Sequence, residues 1–190
     1  MSFLDALLGR TQPRKPNLDT FFALPSAAIT LEAGAGLRPC GRAAVCFKPA
    51  SGQRFAGLRK ELEDLLRLSA QQSQTQVSEH DDDYGYHWLM LRDPELPDVV
   101  GATHLVSATL QDRGFGPQLL CSLFGFEHES SGSVFLVYLY KRGTFYPFAP
   151  RAGQRRDNEL ELRVRALLGQ ELPIESDLGR WFPLWGVPIA

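Results

Sequence analysis

The sequence predicts an α+β fold in which an antiparallel β-sheet carries helices packed mainly on one face. Three observations lead there. Helical and extended patterns alternate along the chain and end in a three-stranded meander followed by a helix. Residues 53–69 place Phe55, Leu58, Leu62, Leu65 and Leu66 at helical spacing, with Arg59, Lys60, Glu61, Glu63, Asp64 and Arg67 on the opposite side. The stretch Ser133–Tyr140 is apolar at both parities, which marks a central strand covered on both faces.

The elements follow in order. Residues 1–10 set Phe3, Leu4, Leu7 and Leu8 on one helical face, and TQPRKP then breaks the pattern with two prolines. Residues 1–16 thus read as a short amphipathic arm on a basic tether, and 17–190 as a single domain. So short a helix is marginal alone and needs a surface to lie on, either its own domain or a partner. Asn17 caps a helix from Leu18, which Pro25 kinks or restarts with Ser26 as cap, and which Gly34 and Gly36 end. A strand at Ala43–Lys48 and a turn at Pro49–Gly52 lead to the helix at 53–69. Gln71–Gln76 reads as a polar linker, and Asp81–Asp83 lead into a strand at Tyr84–Leu91. A helix spans Asp98–Arg113. Strands at Gln118–Glu127, Ser133–Tyr140 and Thr144–Phe148 form the meander, joined by ESSGS and by Lys141-Arg142-Gly143. Asp157–Leu168 alternates like a strand and repeats like a helix; the Asp157 cap, Glu159 and Glu161 in the first turn and Gly169 at the end favour helix. The last fifteen residues read as a loop with the aromatic cluster Trp181, Phe182 and Trp185.

Composition narrows the function. The 190 residues suit one domain, and a net charge of −2 argues against a general grip on nucleic acid. Charge is uneven: residues 1–50 carry net +3, residues 51–140 net −7 and residues 141–190 net +2. Cys40, Cys46 and Cys121 are odd in number and lack metal-ligand spacing, which fits a reducing compartment. The first apolar stretch is short and contains Asp5, unlike a signal peptide, and no apolar run approaches the ~20 residues that span a bilayer. A cytoplasmic protein is expected, with peripheral contact at the inner face of the membrane left open.

No catalytic residue set, metal site or cofactor site is expected. No serine sits in a nucleophile elbow, and GAG (34–36) and GFG (114–116) lack the phosphate-loop lysine and dinucleotide spacing. Two surfaces are candidates for partner contact besides Phe3, Leu4, Leu7 and Leu8 of the arm. One is the hairpin 138–146, where Lys141 and Arg142 sit among aromatics. The other is the tail, where Arg180, Trp181 and Trp185 either form a recognition surface or seal the core. The alternative to a protein-binding role is a small-ligand or enzymatic site assembled around His80, Asp83 and His87, with Glu79 nearby.

Several long runs carry a resemblance together: FLDALLGR, KPNLDTFFALPSAAITLEA, RGFGPQLLCSLFGF, VYLYKRGTFYPFAP, RRDNELELRVRALLG and LPIESDLGRWFPLWG. In this order they resemble the PspA-associated protein family of PspAB type over nearly the whole chain. The resemblance implies a non-enzymatic accessory or adaptor protein of the envelope (phage-shock) stress response. It implies as partner a PspA-like coiled-coil protein or a membrane-associated protease, and brings no catalytic residues to carry over. The element order also resembles small α+β chaperones of the secretion-chaperone/YbjN type, a likeness of fold alone.

Overall fold

The computed structural model describes residues 16–50, 53–70, 73–129 and 132–189. The arm residues Phe3, Leu4, Leu7 and Leu8 lie outside these. Among the described residues, six strands form one antiparallel sheet in the order β2-β3-β1-β4-β5-β6. They are β1 (Leu37–Phe47), β2 (Gln76–Asp81), β3 (His87–Arg92), β4 (Leu119–His128), β5 (Gly132–Leu139) and β6 (Thr144–Phe148). Four α-helices accompany them: α1 (Leu24–Ala35), α2 (Gln53–Ala70), α3 (Leu96–Asp112) and α4 (Asn158–Leu168). None of the described helices is long and apolar enough to cross a membrane.

The helices gather on one face of the sheet, as expected. Leu24, Ala27 and Leu31 of α1, Leu58, Leu62 and Leu66 of α2, Val99, Val106 and Leu110 of α3, and Leu160, Val164 and Leu168 of α4 share a core with this face. The sheet contributes Val45, Phe47, Leu91, Phe124, Phe126, Leu136 and Tyr138. Strand parity sends Ala44, Cys46, Trp88, Leu123, Phe135 and Val137 to the opposite face, where the tail residues Trp181, Val187 and Ile189 cover them. Both faces of β5 are therefore buried, as its apolar run requires. Cys46 and Cys121 stand opposite each other on β1 and β4, both buried. Their hydrogen bond and their burial hold the Cys46 thiol well above its ordinary pKa, so it acts as a small hydrophobe.

The chain enters the domain through a 3₁₀ turn, Leu18–Ala23, capped by Asn17. Phe21 from this turn meets Phe124, Tyr138 and Phe145 edge-on, with ring centroids 5.2, 4.8 and 6.2 Å away. Pro25 occupies the first turn of α1, where its missing N–H costs nothing. Gly34 stays inside α1, contrary to expectation, and Gly36 in the left-handed region ends it. A Cβ on Gly34 would stand 2.6 Å from Leu167 Cδ2, so the glycine sets how closely α1 and α4 pack.

Two strands depart from the sequence reading. β1 begins at Leu37, six residues before Ala43, because Pro39 and Gly41 mark a bulge within a strand rather than its boundary. The stretch read as running from a polar linker into a strand at Tyr84 instead holds the separate strand β2, then a turn, then β3 from His87. Every residue of β2 is exposed, so it lacks the apolar alternation by which strands are recognised.

The tail is fastened by two buried glutamates. Glu175, 1% exposed, accepts from Arg142 Nε at 2.9 Å, Thr144 Oγ1 at 3.1 Å and the Asp177 amide at 3.1 Å. Its own amide donates to the Phe145 carbonyl at 2.7 Å, and its carbonyl accepts the Trp181 indole N–H at 3.0 Å. Glu161 of α4 accepts from the Ala149 amide at 2.8 Å and from Arg156 Nε at 2.9 Å, and Arg156 also donates to the Trp181 carbonyl.

Replacing Gly41 by alanine should destabilise the fold by at least ~2 kcal/mol in thermal or urea unfolding. Its φ is +67°, and a Cβ there would lie 2.2 Å from the Asp93 carbonyl oxygen. Glu175→Gln should cost ~1.5–3 kcal/mol at neutral pH, as charge-assisted hydrogen bonds are lost. The bonds from Arg142, outweighing burial, hold the Glu175 carboxyl below its ordinary value of 4.5. Its stabilisation is therefore present above that value and lost as pH falls through the lowered one. Burial pushes Glu161 the other way, so its contribution fades as pH rises. The gap between wild type and Glu175→Gln, followed by tryptophan fluorescence, isolates the Glu175 effect and should close in acid.

Candidate functional site

A cleft of about 360 Å³ lies between α2 and the β2 side of the sheet. Its floor runs from Phe47 on β1 through His87 and Leu89 on β3 to Val77 and Glu79 on β2. Its wall is the face of α2 that carries Arg59, Leu62, Glu63, Leu66 and Arg67, an i, i+3, i+4 spacing.

Register explains which polar groups meet there. The turn between β2 and β3 is built on Asp82, whose Oδ1 accepts the amides of Tyr84 and Tyr86, both at 2.9 Å. Its Oδ2 accepts the Trp88 indole N–H at 2.9 Å. These bonds outweigh the burial that would raise the Asp82 carboxyl and leave it below its ordinary value. The resulting hairpin sets Asp81 opposite His87 and Glu79 opposite Leu89.

His87 is 3% exposed. Its Nδ1 lies 2.6 Å from Asp81 Oδ1 and its ring 5.1 Å from that of Phe47. An ionised carboxylate only accepts, so Nδ1 carries the proton and donates. The bond from His87 holds the Asp81 carboxyl below its ordinary value. His87 Nε2 is buried and makes no hydrogen bond; Glu79 Oε2, which also pairs with Arg59 of α2, lies 3.4 Å from it. Arg59 and Glu79 thus link α2 to β2, and His87 and Asp81 link β3 to β2.

Thr75 anchors the approach to β2. Its hydroxyl donates to Asp93 Oδ2 at 2.8 Å, while the Asp93 amide donates to the Gly41 carbonyl at 2.9 Å. The bulge at Gly41 therefore helps to hold the edge strand.

The set His80, Asp83 and His87 is not brought together in the way the sequence suggests. His80 pairs with Trp88 and shares its side of the sheet, opposite the side His87 faces, and Asp83 is exposed in the turn. The residues that join His87 are Glu79, already named, together with Asp81 and Arg59. Reading DDDYG as a hairpin turn would have aligned Asp81 with His87; Arg59 left no signal apart from its place on a helical face. No group of three or more His, Cys, Asp or Glu among the described residues is disposed to hold a metal ion.

The other predicted contacts fall elsewhere. Trp181 is 5% exposed and stacks on Tyr146, centroids 6.2 Å apart. Trp185 is half-buried, edge-on to Phe148 at 5.1 Å. Arg180 is exposed and pairs with Asp177 at 3.1 Å. Lys141 is exposed at its turn, and Arg142 beside it is tied to Glu175. His104 of α3 lies 3.5 Å from Asp19 and against Phe22.

These features define an α+β domain with a polar-rimmed cleft under one helix at the edge of an antiparallel sheet. The chain belongs to the PspAB family, PspA associated protein B, whose model matches residues 1–189. No curated protein and no solved structure matches it.

Asp81 should titrate below an ordinary aspartate in carboxyl-carbon NMR, and His87→Phe should return its midpoint toward the ordinary value. An unchanged midpoint would dissociate Asp81 from His87.

Proposed function

We propose that this chain is a non-enzymatic adaptor of the envelope stress response that binds a PspA-like coiled-coil protein or a membrane-associated partner. Membership of the PspA associated protein B family carries the reading. Two features support it. The cleft offers apolar contact at Leu62, Leu66, Val77 and Leu89, with charged groups around it, the mix that protein-binding surfaces use. The net charge of +3 over residues 1–50 and the amphipathic pattern of Phe3, Leu4, Leu7 and Leu8 suit an arm that reaches a partner or an anionic membrane surface. The protein then works in the cytoplasm, at the inner face of the membrane when its partner is there.

Capture of the tagged full chain from cells under membrane stress should retain a PspA-like protein. Reproducible recovery of unrelated soluble enzymes alone would sink the proposal. Deleting residues 1–12 should leave far-UV circular dichroism and the unfolding midpoint unchanged while weakening partner or vesicle association about tenfold. Equal binding by the shortened chain would assign the arm to structure.

A further inference from the structure

The two edges of the sheet are treated differently. Beyond β6, the tail segment Pro173–Glu175 closes the edge: the Phe145 amide donates to the Pro173 carbonyl at 2.8 Å, the Glu175 amide donates to the Phe145 carbonyl at 2.7 Å, and Ile174 bridges Phe145 in parallel. At the other end, no described strand pairs with the outer side of β2, and all six of its residues are exposed. An open strand edge presents a row of backbone donors and acceptors to any extended chain.

We propose that β2 and the cleft beside it take an extended, basic segment of a partner protein, added as a further strand. This rests on the reading of the chain as a protein-binding module. Three observations choose the occupant. Val77 and Glu79 alternate onto the cleft side of β2, so a strand laid beside it sends every second side chain onto that same face, continuing the floor toward α2. The flanking charge is acidic: Glu79 on β2 and Glu63 and Asp64 on α2 line the cleft with Arg59 and Arg67, and Asp81 at the end of β2 and Asp83 in the turn are exposed beyond it. A lysine or arginine at the alternate positions meets carboxylates, whereas an acidic segment meets like charge. Finally, His87 Nε2 is buried without a hydrogen-bond partner, 3.4 Å from the Glu79 carboxylate that such a cation would engage. A second copy of this chain would bring its own β2 carboxylates to the seam and is disfavoured by the same charge.

The test uses the full chain and a short synthetic peptide alternating lysine with valine, read by amide hydrogen exchange. The lysine peptide should slow exchange about tenfold at alternate amides of β2, an effect that weakens with salt. Its glutamate counterpart and a proline-interrupted version should not. Glu79→Gln should weaken the lysine peptide at least about fivefold, with circular dichroism confirming that the sheet is intact. No slowing at β2, or equal slowing by the glutamate peptide, overturns the proposal. So does β2 protection in the free chain that rises with protein concentration, which makes a second copy the occupant. Protection in the free chain that is lost on Arg14→Glu with Lys15→Glu assigns the edge to this chain's own arm and also overturns it. Peptide failure alongside successful capture of a PspA-like protein rejects this edge while leaving the adaptor reading in place.

Discussion

A sheet that is apolar on both faces needs two covers, and in this protein the second cover has little regular structure of its own. Helices roof one face because their apolar stripes demand it. Across the other face lie Trp181, Val187 and Ile189, held by a segment with only a short 3₁₀ turn to stiffen it. Such a segment must be fixed by specific bonds, since it cannot draw on a helix's cooperativity. Glu175 supplies them: its side chain is shared by Arg142, Thr144 and Asp177, and its backbone is bonded to Phe145 and Trp181. A buried carboxylate is costly unless it is saturated with donors, and this one is. The same knot seats Pro173–Glu175 along β6, so the interaction that covers the face also closes one edge.

Arg156 repeats the logic from the helical side. It joins Glu161 of α4 to the Trp181 carbonyl and the Pro147 carbonyl, with its guanidinium 5.3 Å from the Phe148 ring centroid. The tail is thus tied to the roof around the edge of the sheet. In this arrangement Trp181 works inside the molecule, while Lys141 and Arg180 keep their charges in solvent.

What was legible in the sequence follows from which signals are local. The apolar run of β5 declared a strand covered on both faces, and the Asp157 cap correctly decided the ambiguous segment in favour of α4, accepting the Leu160 amide at 3.1 Å. β2 was illegible because an edge strand touching water at every residue has no periodicity to show. The first half of β1 was hidden because Pro39 and Gly41 read as breakers when, across from Asp93, they form a bulge. The candidate site suffered from the same gap. His87 drew notice as a residue type, but its partners depend on register, which sequence proximity misjudges. His80 lies one residue from Asp81 and faces the other way; Asp81 lies six away and is bonded.

The asymmetry between the edges connects fold to function. An open antiparallel sheet has two edges to manage, and closing one with an extended piece of chain shows what geometry this sheet accepts there. The other edge carries charge, a common guard against unselective pairing. Charge guards only against neutral or like-charged strands, however, and selects for the opposite sign. The Arg59–Glu79 contact matters here because, among the described residues, it is a polar link from α2 to β2. A cation arriving on an added strand competes with Arg59 for one carboxylate, so occupation of the edge and the seating of α2 over the cleft are coupled through a single side chain. The edge strand and the helix above it then form one responsive unit, set apart from the tightly fastened half of the sheet between β4, β6 and the tail.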